Sequence, residues 1–392
     1  MKAFVCDGRS RASLQVCRSL KKQGFEVHVG EAFSCSTFFS NAVSKSLIYP
    51  DPDTEPGPFF TFVKNYLDRE KIDLLYPIRD SSYSIFSQNK SEVLKKTKSF
   101  LPDHNNFKAI QDKEKLAKVA KKLGVIVPKT IYSSDDKINN FNYASNFLGL
   151  PFIAKPKVSS GSRGIFLIKS EKSFFNFLNL TKNDIKDYFL QEYIPHGGAV
   201  GVYLMSEQGN ILASNTHIRI REYPHSGGPS TLRRTGKHSL CEFFSNKLIK
   251  KFKWTGVAMV EFRFHKYTKK PFLMEINPRF WGSLALDLHS GVDFPKLVSF
   301  KLLNPNNKII KPKAERNIFV RWLFLGDILW LLTHENKIKA FKKFLIFKNQ
   351  KFDILDKTDP LPVFGSIAEG FLSLFKSKRR NHAFNRGWID KF

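Results

Sequence analysis

The stretch from Gly256 to Ser283, GVAMVEFRFHKYTKKPFLMEINPRFWGS, restricts the fold more than any other part of the chain. Two apolar runs, GVAMVEFRF and PFLMEINPR, flank a basic turn, which predicts an antiparallel strand pair. Glu261 and Glu275 then lie on neighbouring strands, and the two-residue period of a strand puts Asn277 and Arg279 on the Glu275 face. Three oxygen-bearing side chains on one face suit a hard divalent ion, Mg²⁺ or Mn²⁺, which takes few protein oxygens and leaves its other positions to water and phosphates. An arginine beside such a centre can hold a carboxylate or a phosphoryl oxygen through two parallel hydrogen bonds. On these residues alone, a surface hairpin with solvated acids is the alternative.

Phosphate-binding chemistry is suggested a hundred residues earlier, in GLPFIAKPKVSSGSRGIFLIK. A strand ends near Lys155, a loop containing Ser160, Gly161, Ser162 and Gly164 follows, and a second strand begins at once. Glycines let backbone N–H groups approach a polyphosphate, and the lysine adds charge. The loop lacks the G-K-S/T ending of a P-loop, and DGRSR after the first strand lacks the G-x-G-x-x-G of a dinucleotide fold. Alternation in HIRIRE predicts that His217, Arg219 and Arg221 share one face, a row suited to anions or to plain solvation.

Taken together, E-F-R, M-E-I-N-P-R and G-S at this spacing resemble the ATP-grasp carboxylate-amine ligases, with a nucleotide domain similar to that of the carbamoyl phosphate synthase large chain. The resemblance is strongest from about 108 to 303. It implies ATP as cosubstrate, Glu261, Glu275 and Asn277 as metal ligands, and Lys113 and Lys155 on the phosphates under the loop 160–164 as a flap. It further implies that YFLQEYIP, through Gln191, Glu192, Tyr193 and Ile194, recognises adenine. The ribose-holding acid of many relatives falls near Ala199 here, so Glu192 is the substitute. R-x-R-E-x-P with G-G-x-S-T resembles an uncharacterised subgroup of these ligases, and the carboxylate is expected at this segment, on Arg219 and Arg221, with Arg279 at the transferring phosphoryl group. Such ligases make an acyl phosphate that an amine then displaces. The competing classes are a non-catalytic ATP-binding module and a basic protein of membrane surfaces or nucleic acids.

The expected architecture is mixed, α/β and α+β, an ATP-grasp fold in three parts. Residues 1–105 read as a Rossmann-like α/β domain from the strands KAFVCD, FEVHVG and KIDLLYPIRD, with Pro50–Pro58 as a loop; the resemblance implies that Asp80 and Ser81, at a strand end, help hold the acceptor. Residues 106–303 form the nucleotide-binding and catalytic domain, ending in one helix over FWGSLALDLHSGVDFPKLVSFKLL. Residues 304–392 form a basic, aromatic-rich appendix, in which RWLFLGDILWLL and IKAFKKFLIFKNQK read as amphipathic. Fourteen Lys and five Arg against eight acids give residues 301–392 a net +11. The whole chain of 392 residues carries +29, but its lysines are spread throughout and no nucleic-acid module occurs, so small carboxylates and amines are the expected partners rather than nucleic acid. Contact of the appendix with an anionic membrane and a homodimer are left open. Cys6, Cys17, Cys35 and Cys241 show no metal-ligand spacing, and no apolar run reaches the ~20 residues of a membrane span, so a cytoplasmic protein is expected, either free or peripheral at the inner membrane face.

Overall fold

A computed structural model describes residues 1–159, 164–182, 184–225 and 227–375, with side chains to 370. The first strands are β1 (Lys2–Val5), β2 (Glu26–Glu31), β3 (Lys45–Ile48) and β4 (Leu74–Tyr76), a wholly parallel sheet in the order β3-β2-β1-β4. Parallel strands need crossovers, and helices such as Arg11–Lys22 supply them, packing Val16 and Leu20 against the sheet under a Ser10 cap. This is the Rossmann-like unit expected. Asp7, in left-handed backbone at φ 61°, ties the turns after β1 and β4 together: its carboxylate accepts from the Ile78 and Arg79 amides at 3.1 and 2.8 Å and from the Ser82 hydroxyl. Two details differ from the sequence reading. Pro56 opens a helix, Pro56–Glu70, because proline suits the first helical turn, and Asp80 begins the helix Asp80–Gln88 instead of ending a strand.

The second sheet is antiparallel, from β5 (Thr130–Ile131), β6 (Phe152–Pro156), β7 (Phe166–Ile168) and β8 (Tyr188–Glu192), in the order β5-β8-β6-β7. Its covered face is a small aromatic core of Phe152, Phe166, Phe174 and Phe177. The third sheet has seven strands, β9 (His196–Glu207), β10 (Asn210–Glu222), β11 (Ser230–Gly236), β12 (Gly256–His265), β13 (Pro271–Asn277), β14 (Phe319–Arg321) and β15 (Gln350–Phe352). Their order is β13-β12-β9-β10-β11-β14-β15. The turn expected at QGN joins β9 to β10, with Gln208 and Gly209 at φ 49° and 83°.

The helix expected behind the strand pair is two helices, Leu284–His289 and Phe294–Leu303. Gly291 at φ 87° ends the first turn of chain, and the Asp293 carboxylate caps the second helix on the Lys296 amide. RWLFLGDILWLL is likewise not one helix: it starts with Arg321, the last residue of β14, and reaches the short helix Ile328–Thr333 only at its end. The chain beyond 304 thus completes the edge of the large sheet. Asp353, 1% exposed, accepts from the Arg233 Nη1 of β11 at 2.8 Å and also binds Arg11 of the first helix. No helix among the described residues is long and apolar enough to cross a membrane.

Candidate active site

Antiparallel pairing sets Glu261 of β12 directly opposite Glu275 of β13, so both carboxylates project from one face, and Asn277 follows on that face two residues along. The Asn277 amide donates to Glu275 at 2.8 Å, and its oxygen accepts from Arg279 Nη2 at 2.9 Å. Arg279 also donates through Nε to Asp80 at 2.8 Å, which joins the edge of the parallel sheet to the strand pair. Lys113, the first residue of the helix Lys113–Lys122 capped by Asp112, is 8% exposed in spite of its lysine-rich surroundings. Its ammonium lies 3.4 Å from Glu275 and donates to the Ser159 carbonyl at the entry to the loop.

The charges are arranged unequally. Burial raises the Glu261 carboxyl above its usual range, with Arg219 opposing and the like charge of Glu275 adding to it. Burial acts on Glu275 in the same sense, but Lys113, the Asn277 hydrogen bond, Lys155 and Arg279 outweigh it and hold that carboxyl low. Lys155 on β6 is 6% exposed, and burial, helped by the Lys113 charge, pushes it down to about 7. Arg219 binds Glu261 through Nη2 and reaches Glu222 at 3.4 Å through Nη1.

Not every residue singled out in the sequence meets here. The pairing of β10 slips between Arg219 and Arg221, which breaks the expected alternation. Arg221 consequently binds Asp327 at 2.6 Å and the Lys343 carbonyl at 2.7 Å, with its guanidinium over Trp330. His217 is buried against Asp287 at 2.8 Å. Gln191 donates to Thr130 at 3.1 Å and leaves its side-chain oxygen buried without a partner among the described residues. Glu192 accepts from the Lys129 amide at 3.1 Å, Tyr193 is half-buried, and Ile194 is buried where β8 passes into β9. Gly164 is described, at φ 70°, whereas Ser160, Gly161 and Ser162 lie outside the described residues. Ala199 on β9 faces Arg263 on β12. The acid that does come to this region is Glu222, 3.4 Å from His196, and the sequence signal for it was the closing residue of HIRIRE.

This combination of a parallel lead-in sheet, a small antiparallel sheet carrying a buried lysine, and a large sheet carrying two opposed glutamates defines a class. Residues 110–283 match the ATP-grasp domain family, so the chain contains an ATP-grasp domain. Among solved structures it is similar to the biotin carboxylase domain dimer of Hydrogenobacter thermophilus 2-oxoglutarate carboxylase, in complex with MgADP, ADP and bicarbonate. That similarity has TM-score 0.63 at 14% identity over 81% of this chain and 73% of that one. It is also similar to N5-carboxyaminoimidazole synthetase from Staphylococcus aureus complexed with ADP, with TM-score 0.61 and 16% identity over 80% and 79% of the two chains. At these identities the likeness is one of fold. No curated protein matches the chain by sequence.

Proposed function

We propose that the protein is an ADP-forming ligase that joins a carboxylate to an amine through an acyl phosphate. The observation that carries this reading is the convergence of Lys113, Lys155, Glu261, Glu275, Asn277 and Arg279, from separate segments, on one partly buried centre. The donor set fits Mg²⁺ or Mn²⁺, because two opposed, partly buried carboxylates, Glu261 raised by burial and then by the Glu275 charge, are relieved by a divalent cation. Glu261, Glu275 and Asn277 would hold the ion, which would neutralise the outer phosphates of ATP.

Lys113 and Lys155 then bind phosphate oxygens, under the loop 160–164, and Gln191 to Ile194 receive the adenine. Arg279, oriented by Asp80 and Asn277, positions the substrate carboxylate for attack on the γ-phosphorus. Bond formation to that carboxylate oxygen breaks the bond to the β-γ bridging oxygen, and ADP leaves. Attack by the amine on the acyl carbon releases phosphate and gives the amide, with Arg279 facing the oxyanion. Arg219 positions Glu261 and, beside it, the carboxylate; Arg221 anchors β10 to the chain beyond 304. Cys6, Cys17, Cys35 and Cys241, all buried and free, support a reducing, cytoplasmic setting, and the dimeric state of the biotin carboxylase neighbour supports a homodimer. The test is to offer ATP and magnesium with pooled carboxylates and amines. Carboxylate-dependent ADP release is expected, and nucleotide binding with no turnover on any pool would reduce the protein to an ATP-binding module.

A further inference from the structure

The helix Lys337–Phe344 has two apolar sides, and only one of them is used by the fold. Ala340 is fully buried, and the rings of Phe344 and the following Phe347 both lie against the Arg321 guanidinium, 4.3 and 4.6 Å from its carbon to their centres. Arg221 adds a hydrogen bond to the Lys343 carbonyl. The helix therefore cannot roll without uncovering the buried arginine. Ile338, Phe341 and Leu345, spaced i, i+3, i+7, form the outward stripe at 75, 52 and 54% exposure, and Ile346 beside them is 55% exposed. Single exposed apolar residues are ordinary, but an aligned row on an anchored helix is not.

Helical geometry sets Lys337 and Lys342 on the two borders of the stripe, and both are exposed. Across residues 328–352 six lysines stand against one acid, Glu335. We propose that this face docks on an anionic lipid surface, with Ile338, Phe341 and Leu345 entering the headgroup boundary and the bordering lysines meeting lipid phosphates. Charge excludes the nearer alternatives. A second copy would bring lysines against lysines, and residues 376–392, with six cations and one acid, would be repelled by the same border. A nucleic acid would use the lysines and leave the apolar stripe in water. The inference does not depend on the ligase reading.

Full-length protein mixed with vesicles of phosphatidylcholine, with and without phosphatidylglycerol, should co-sediment with the anionic vesicles and less so as salt is raised. Phe341→Glu combined with Leu345→Glu should weaken that association about tenfold or more at an unchanged unfolding midpoint, since both side chains are already in solvent. Lys337→Glu with Lys342→Glu should act on anionic vesicles alone. The proposal is overturned if neutral and anionic vesicles bind alike or not at all, or if the Phe341/Leu345 variant still sediments. It is equally overturned if that variant dissociates a dimer, or if duplex DNA binds and is indifferent to the variant.

Discussion

The two ends of the seven-stranded sheet bury arginine and carboxylate side chains to opposite purposes. At the β14–β15 end Asp353 is held by both Arg233 and Arg11; burial tends to raise it, the two arginines outweigh that, and its carboxyl lies below the usual range. Both arginines on Asp353 thus find their countercharge within the chain. At the β12–β13 end two carboxylates oppose each other, Glu261 is raised rather than lowered, and Lys155 is pushed down to about 7. Saturated pairs fasten segments together, whereas a buried set whose members still perturb one another has capacity left for a charged ligand.

The sharpest way to break this contrast is at Glu275. Glu275→Gln keeps the shape and removes one charge, so ADP formation should fall on the order of a thousandfold, equivalent to about 4 kcal/mol, with little change in the urea unfolding midpoint. Near wild-type turnover would place the chemistry elsewhere. At the other end Asp353→Asn leaves Arg233 buried without its countercharge, and the unfolding free energy should drop by about 3 kcal/mol while the turnover of the folded fraction stays within a factor of about two. Should activity collapse with stability intact, the two ends are not separate in role.

Smaller effects refine the site itself. Arg279→Lys retains charge but loses the fork that spans Asp80 and Asn277, so carboxylate-dependent ADP formation should fall about thirtyfold and ATP affinity only slightly. Equal losses in both would make Arg279 a nucleotide contact. The least change is a proton count. With its pKa near 7, Lys155 is largely neutral at pH 8 in the free protein; an arriving polyphosphate raises that pKa, so ATP binding should take up a fraction of a proton and weaken as pH rises above 7. Calorimetry in two buffers of different ionisation enthalpy measures it, and no uptake would remove Lys155 from the phosphates.

Local chemistry was readable directly from the residues. Strand period and turn residues put Glu261 and Glu275 on neighbouring strands, and alternating apolar segments give the parallel first sheet. These features depend on neighbours a few residues apart, which is why one-dimensional spacing suffices. A single-residue slip in β10 sent Arg221 away from Arg219, and Gly291 with Asp293 broke one apolar run into two helices, because cap and bulge geometry outweighed the longer pattern. The contacts Arg279–Asp80, Lys113–Glu275 and Asp353–Arg233 join residues 199, 162 and 120 positions apart, and no local pattern encodes which of many lysines, arginines and acids will meet. Those choices follow from the stacking of the sheets, where burying a charge is tolerable only if packing delivers its partner to the same place.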